Sequence, residues 1–175
     1  MRVSFLALSA GLILASLPTV STARADSDIL PHSLTLMKQG QQAQSAANLN
    51  GAIDYYEAAL VADPRNRSAL IALAQIARSQ GLPGKAIGLY REALTLEPND
   101  VVALAGQGQA LADKGALERA RERLADVQRL CASPCAEVAG LERSIAAGAS
   151  RQMATAEGTP AASAVTAPIP PISRN

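Results

Sequence analysis

Residues 67–100 read RSALIALAQIARSQGLPGKAIGLYREALTLEPND, and this stretch decides the fold because the chain on either side repeats it. Starting copies at Ser33, Arg67 and Val101 gives a period of 34 with no gap across three copies. That register aligns Leu36, Leu70 and Leu104, then Gly40, Ala74 and Gly108, then Ala52, Ala86 and Ala120. It also aligns Tyr56, Tyr90 and Leu124, and finally Ala59, Ala93 and Val127.

The first two copies end alike, in Ala-Asp-Pro-Arg-Asn at 62–66 and Leu-Glu-Pro-Asn-Asp at 96–100. Proline stops an outgoing helix and the Asn or Asp after it caps the next one, so each copy closes in a turn. Gly81-Leu82-Pro83 and Gly115 stand where two helices within a copy must join. Small residues at Gly40, Ala74, Gly108, Ala52, Ala86 and Ala120 let the paired helices approach closely, with Tyr56, Tyr90 and Leu124 filling the space beside them.

These positions resemble the tetratricopeptide-repeat family over Ser33 to about Ser150, although the large aromatic that family often carries early in its first helix is Leu here. The resemblance implies an all-α fold, a superhelix (α-solenoid) of antiparallel helix pairs, with repeats over 33–66, 67–100 and 101–134. It also implies that the first helix of each copy lines a concave groove for a protein or peptide partner. Projected onto this chain, the lining is Met37, Gln41 and Gln44, then Ile71, Gln75 and Arg78, then Ala105, Gln109 and Asp113. Some members clamp a chaperone's C-terminal carboxylate with Lys, Arg and Asn; the matching positions here are Met37, Gln41, Ala72, Val102 and Gly106, so that ligand is not expected.

An open stack leaves an apolar face at its end. Val138, Leu141 and Ile145 recur at helical spacing and predict a capping helix over 135–149, with Pro134 at its start and Glu137, Glu142, Arg143 and Ser144 off the stripe. The last segment, 150–175, is Ala, Thr, Ser and Pro with few large apolar side chains, which reads as a disordered tail.

Before the repeats, Met1-Arg2, an apolar run from Val3 to Leu17, Pro18 and then Ala23-Arg24-Ala25 follow the plan of a secretory signal, with cleavage expected after Ala25. The run of about 15 residues falls short of the roughly 20 that span a bilayer, so no transmembrane segment is expected once the signal is removed. Residues 26–32 form a short leader, and the expected location is the periplasm. Removing Arg2 and Arg24 leaves 14 basic residues against 15 acids, a balance that argues against nucleic acid or anionic lipid as the partner.

Cys131 and Cys135 are the only cysteines, and they bracket Ala-Ser-Pro at the end of the third copy. In an oxidising compartment this pair reads as a disulfide that fastens the capping helix. Thioredoxin-like spacing and a haem-attachment His are both absent, and the single His32 lies ahead of the repeats, so no metal, cofactor or catalytic residue is expected. Arg119, Arg121, Arg123 and Arg129 alternate with Glu118, Glu122 and Asp126, with Arg119–Glu122 and Asp126–Arg129 as expected pairs.

The function expected from all this is a non-enzymatic interaction module, a scaffold or assembly factor for a cell-envelope complex such as a pilus, secretion or cell-wall machine. The alternative is a thiol-dependent accessory factor in oxidative folding or cofactor maturation, using Cys131 and Cys135; a membrane-tethered subunit serving a catalytic partner is a third reading. The exposed end of the first copy is the place to look for self-association.

Overall fold

The computed structural model describes residues 29–131 and 135–157. The expected signal peptide with its cleavage point, the leader up to residue 28, Pro134 and the tail beyond 157 lie outside the described residues. Among the described residues there are seven helices: α1 (Pro31–Ser45), α2 (Leu49–Ala62), α3 (Arg67–Ser79), α4 (Pro83–Leu96), α5 (Val101–Asp113), α6 (Leu117–Leu130) and α7 (Ala136–Glu157). They pair as α1 with α2, α3 with α4 and α5 with α6, and each pair packs on the next.

Local chemistry sets the ends. The side chains of Asn48, Asn66 and Asp100 accept from the backbone N–H of Gly51, Ala69 and Ala103, so α2, α3 and α5 start on a capping oxygen. Helices α1 and α4 instead open on Pro31 and Pro83, whose missing N–H would have had no helical partner. Within each copy the turn is the same: residues 47, 81 and 115, each 34 apart, take a left-handed φ of 59°, 72° and 85°. The residue after each returns its N–H to a carbonyl five back, as in Leu82 to Ala77 and Ala116 to Leu111, closing the preceding helix.

Small residues pack the seams as expected: Ala52, Ala59, Ala86, Ala93 and Ala120 are fully buried, and Tyr56 and Tyr90 nearly so. The two tyrosines lean in opposite directions. A Cβ on Gly40 would overlap the Tyr56 ring, whereas Tyr90 presses on Gly106 of the following copy. Tyr56 therefore points back to α1, where its hydroxyl donates to Gln44 Oε1 at 2.8 Å, and Tyr90 points forward to α5.

Three sequence expectations need correction. The capping helix does not stop at 149: α7 runs to Glu157 because Gln152 Nε2 donates to the Gly115 carbonyl at 2.7 Å and Arg151 reaches Asp113 Oδ1 at 3.5 Å. Leu141, Ile145 and Gly148 are its buried stripe, while Val138 is half-buried. His32 does not precede the first helix but sits exposed in the first turn of α1. On α6, Arg121 pairs with Glu118 and Arg123 with Asp126 at 3.2 Å; Asp126 also holds Arg129 at 3.0 Å, but Arg119 and Glu122 are not paired to each other.

Helix α7 occupies the place that the first helix of a fourth copy would take. Continued by 34, Leu36, Leu70 and Leu104 lead to Val138, and Leu111 leads to Ile145. Its Leu141 side chain enters the hollow left by Gly108 on α5. No helix among the described residues is long and apolar enough to cross a membrane.

Candidate peptide-binding groove

Five of the nine projected lining residues come together. Met37, Gln41 and Gln44 from α1 and Ile71 and Gln75 from α3 surround an open cleft of about 370 Å³, joined by Tyr56, Ser68, Ala72 and Val102. Gln41, Ser68, Gln75 and Val102 are exposed, and Met37 and Ile71 half-exposed, so amide and hydroxyl groups alternate with aliphatic ones along the cleft. The Tyr56 hydroxyl contributes from the floor; burial raises its pKa, keeping it a neutral donor engaged with Gln44.

The cleft's two charged residues neutralise each other: Arg67 Nε lies 2.8 Å from Asp100 Oδ2. This pair was not among the projected lining, and the signal that would have found it is the period itself. Arg67 stands 34 after Ser33 and Asp100 34 after Asn66.

The other four projected residues do not form open groove. Ala105 is buried against Leu104 and Val127, so it is a packing residue. Arg78 bonds to both Asp113 and Gln109, its Nε donating to Asp113 Oδ2 at 2.6 Å and its Nη1 to Gln109 Oε1 at 2.9 Å. Arg78 Nη2 also reaches Ser144 on α7 at 3.5 Å. The cap covers this end of the concave face, an outcome hidden from a reading that treated each copy's first helix alike. Nearby, Tyr90 is pushed up to about 12 by burial, an effect the Arg78 charge partly opposes.

The clamp positions behave as their side chains dictate. Ala72 and Gly106 are buried, and Tyr90 covers Gly106, so the third copy has no room there for a cation.

At the cap, the Cys131 and Cys135 Sγ atoms are placed 2.04 Å apart with Cα atoms 6.0 Å apart. Glu137 brings a carboxylate oxygen to 3.2 Å from Cys135 Sγ, a third candidate ligand that sequence reasoning missed. An acid beside a cysteine is the reverse of the electropositive setting that activates one. The thiol-dependent alternative gains nothing from this geometry.

Residues 67–110 match the family model described as tetratricopeptide repeat. No curated protein matches the chain. Among solved structures, the first such domain of human RPAP3 superposes with a TM-score of 0.63 at 21% identity, covering 71% of this chain and 97% of that one. The Sgt2 domain of Aspergillus fumigatus gives 0.62 at 22%, covering 79% and 92%. The first domain of Spaghetti (RPAP3), bound to an HSP90 peptide, gives 0.62 at 22%, covering 68% and 94%. The chain has an all-α tetratricopeptide-repeat fold, and residues 67–110 carry that family's own sequence pattern.

Proposed function

We propose that this chain is a protein-interaction module whose α1/α3 cleft receives an extended segment of a partner protein. The observation that carries this is the lining itself: exposed Gln41 and Gln75 amides and the Ser68 hydroxyl, spaced between Met37, Ile71 and Val102. Amides pair with both the donors and the acceptors of a peptide backbone, and the aliphatic patches between them accept alternate side chains. Several solved neighbours are described as bound to HSP90 or HSP70 peptides, which supports peptide capture as the use of such a face. With Arg67 committed to Asp100, the groove offers no free cation to a terminal carboxylate, so its segment is an internal, largely uncharged one.

The finer reading places the protein in the periplasm as a scaffold or assembly factor for an envelope complex. Its support is the N-terminal sequence: Arg2, the apolar run to Leu17 and the Ala23 and Ala25 positions a signal peptidase reads. A disulfide between Cys131 and Cys135 belongs to the same reading.

A photo-crosslinking residue at Gln41, compared with one at exposed Glu92 on the opposite side, tests the groove in envelope extract. Capture of a discrete protein from Gln41 alone supports the assignment; equal capture from both positions defeats it. Intact mass of the purified protein tests export: a chain beginning at Asp26, resistant to thiol alkylation, is the expected result, and a full-length chain with two alkylated thiols overturns it.

A further inference from the structure

The cleft on the outer side, between α4 and α6, breaks the repeat in a way that packing does not explain. It measures about 400 Å³ and is lined by Arg91, Leu94 and Thr95 from α4, Gln107 and Leu111 from α5, and Arg119, Glu122 and Arg123 from α6. Shifted back by 34, the decisive positions are Leu73 for Gln107 and Leu89 for Arg123. Leu73 is buried in the seam of the first two copies, and Leu89 packs against the same cluster. At the next interface both leucines have given way to an amide and a guanidinium. At the rim Glu57 is replaced by Arg91, Lys85 keeps its positive charge as Arg119, and Gly88 gives way to Glu122.

Three guanidiniums thus converge from two helices, against Glu122 as the one acid of the lining. Arg123 is held by Asp126 at 3.2 Å, which fixes its position. Arg91 and Arg119 are exposed and have no ion-pair partner among the described residues. A guanidinium presents its N–H groups in a planar fork that matches a carboxylate. The floor, half-buried Leu94 and buried Leu111, accepts methylene groups.

From this we infer that the α4/α6 cleft is a second docking site, for an acidic segment of a partner protein, with a Glu or Asp side chain laid over Leu94 and its carboxylate between Arg91 and Arg119. A recess between two helices fits an inserted side chain better than a flat lipid surface, which is met by a broad basic face.

The test is titration of the full, isotope-labelled chain with hexaglutamate at low salt, read by backbone amide shifts. Expected are shifts confined to α4, α6 and the stretch of α5 around Gln107 and Leu111, binding that weakens with salt, and affinity roughly tenfold lower in an Arg91→Gln, Arg119→Gln double variant. Both side chains are exposed, so the variant should melt like the parent; a Gln41→Ala variant should bind hexaglutamate unchanged, which separates this site from the α1/α3 groove. Unchanged affinity in the double variant, or shifts on α1 and α3 instead, overturns the inference. So does arginine-dependent binding of anionic phospholipid vesicles without binding of the peptide, or displacement of the peptide by inorganic phosphate at lower concentration than by free glutamate.

Discussion

Asn66 Nδ2 donates to Ser33 Oγ at 2.9 Å, and 34 residues further on the same two places are held by Asp100 and Arg67 as an ion pair. The repeat has kept the connection between the first residue of a copy and the cap of the next copy's first helix while exchanging its chemistry. Ser33 is fully buried and passes the chain of bonds on to the Ala59 carbonyl at 2.7 Å, whereas Arg67 and Asp100 keep some contact with water.

Asn66→Ala should therefore cost more than Asp100→Asn. The first removes a cap and leaves the buried Ser33 hydroxyl without its donor, a loss of about 1–3 kcal/mol in urea unfolding. The second retains a capping oxygen and loses only a partly exposed ion pair, about 0–1 kcal/mol and less at high salt. The reverse order would show that charge, not burial, holds the stack.

Ala47 takes a left-handed φ of 59° where the later copies use Gly81 and Gly115. A Cβ in that conformation costs roughly 1–2 kcal/mol, and glycine returns roughly 0.5–1 of it as unfolded-chain entropy. Ala47→Gly is expected to stabilise the protein slightly, by up to about 1 kcal/mol in its unfolding midpoint. A lower midpoint would mean the Ala47 methyl makes a contact that outweighs its strain.

Asp63 should make the first junction acid-sensitive. The Arg65 side chain, the Arg65 N–H and the Leu30 N–H together hold its carboxyl at about 2, below the ordinary 3.8. Because the folded value is the lower one, this contribution is complete above about pH 4 and fades as pH falls toward 2. Unfolding profiles of the parent and of Asp63→Asn should differ at neutral pH and converge near pH 2; a gap that persists there would assign the difference to packing.

How much of this was legible follows from what a period records. Repeated positions such as Ala52, Ala86 and Ala120 report the packing common to all copies, and they determine the helix pairs and bring the α1 and α3 side chains to one cleft. Arg78 on α3 and Ala105 on α5 fall outside the open cleft because α7 lies against that end of the stack, and only the cap's position shows this. Arg67 with Asp100, and Arg123 in place of Leu89, were in the sequence but lay in departures from the repeat. A search for matching positions passes over such differences.

On the proposed reading of Cys131 and Cys135 as a disulfide, replacing both by Ser should loosen the cap and leave the rest. Closing so short a loop contributes about 2 kcal/mol on the chain-entropy model. Amide exchange should accelerate in α7, with α1 to α4 unaffected; uniform acceleration would show that the cap and the repeats unfold as one unit.

The far end of α7 supplies the sharpest test of its length. A Cβ on Gly148 would stand 2.8 Å from Leu117 Cδ2 and 2.9 Å from the Ala112 carbonyl oxygen. The leucine can rotate, but the carbonyl is fixed in α5, so Gly148→Ala must lift the helix from its seat. Lifting it strains the Gln152 bond to Gly115 and the Arg151 reach to Asp113, both beyond residue 149. The expected result is a loss of about 1–3 kcal/mol, with fast exchange spreading from residue 148 to 157. A chain ended after Ala149 should lose the same contacts without the clash, and therefore fall between the parent and Gly148→Ala in stability. Parent-like stability in both would mean that the last eight residues of α7 add nothing to the cap, and that helix propensity alone carries them.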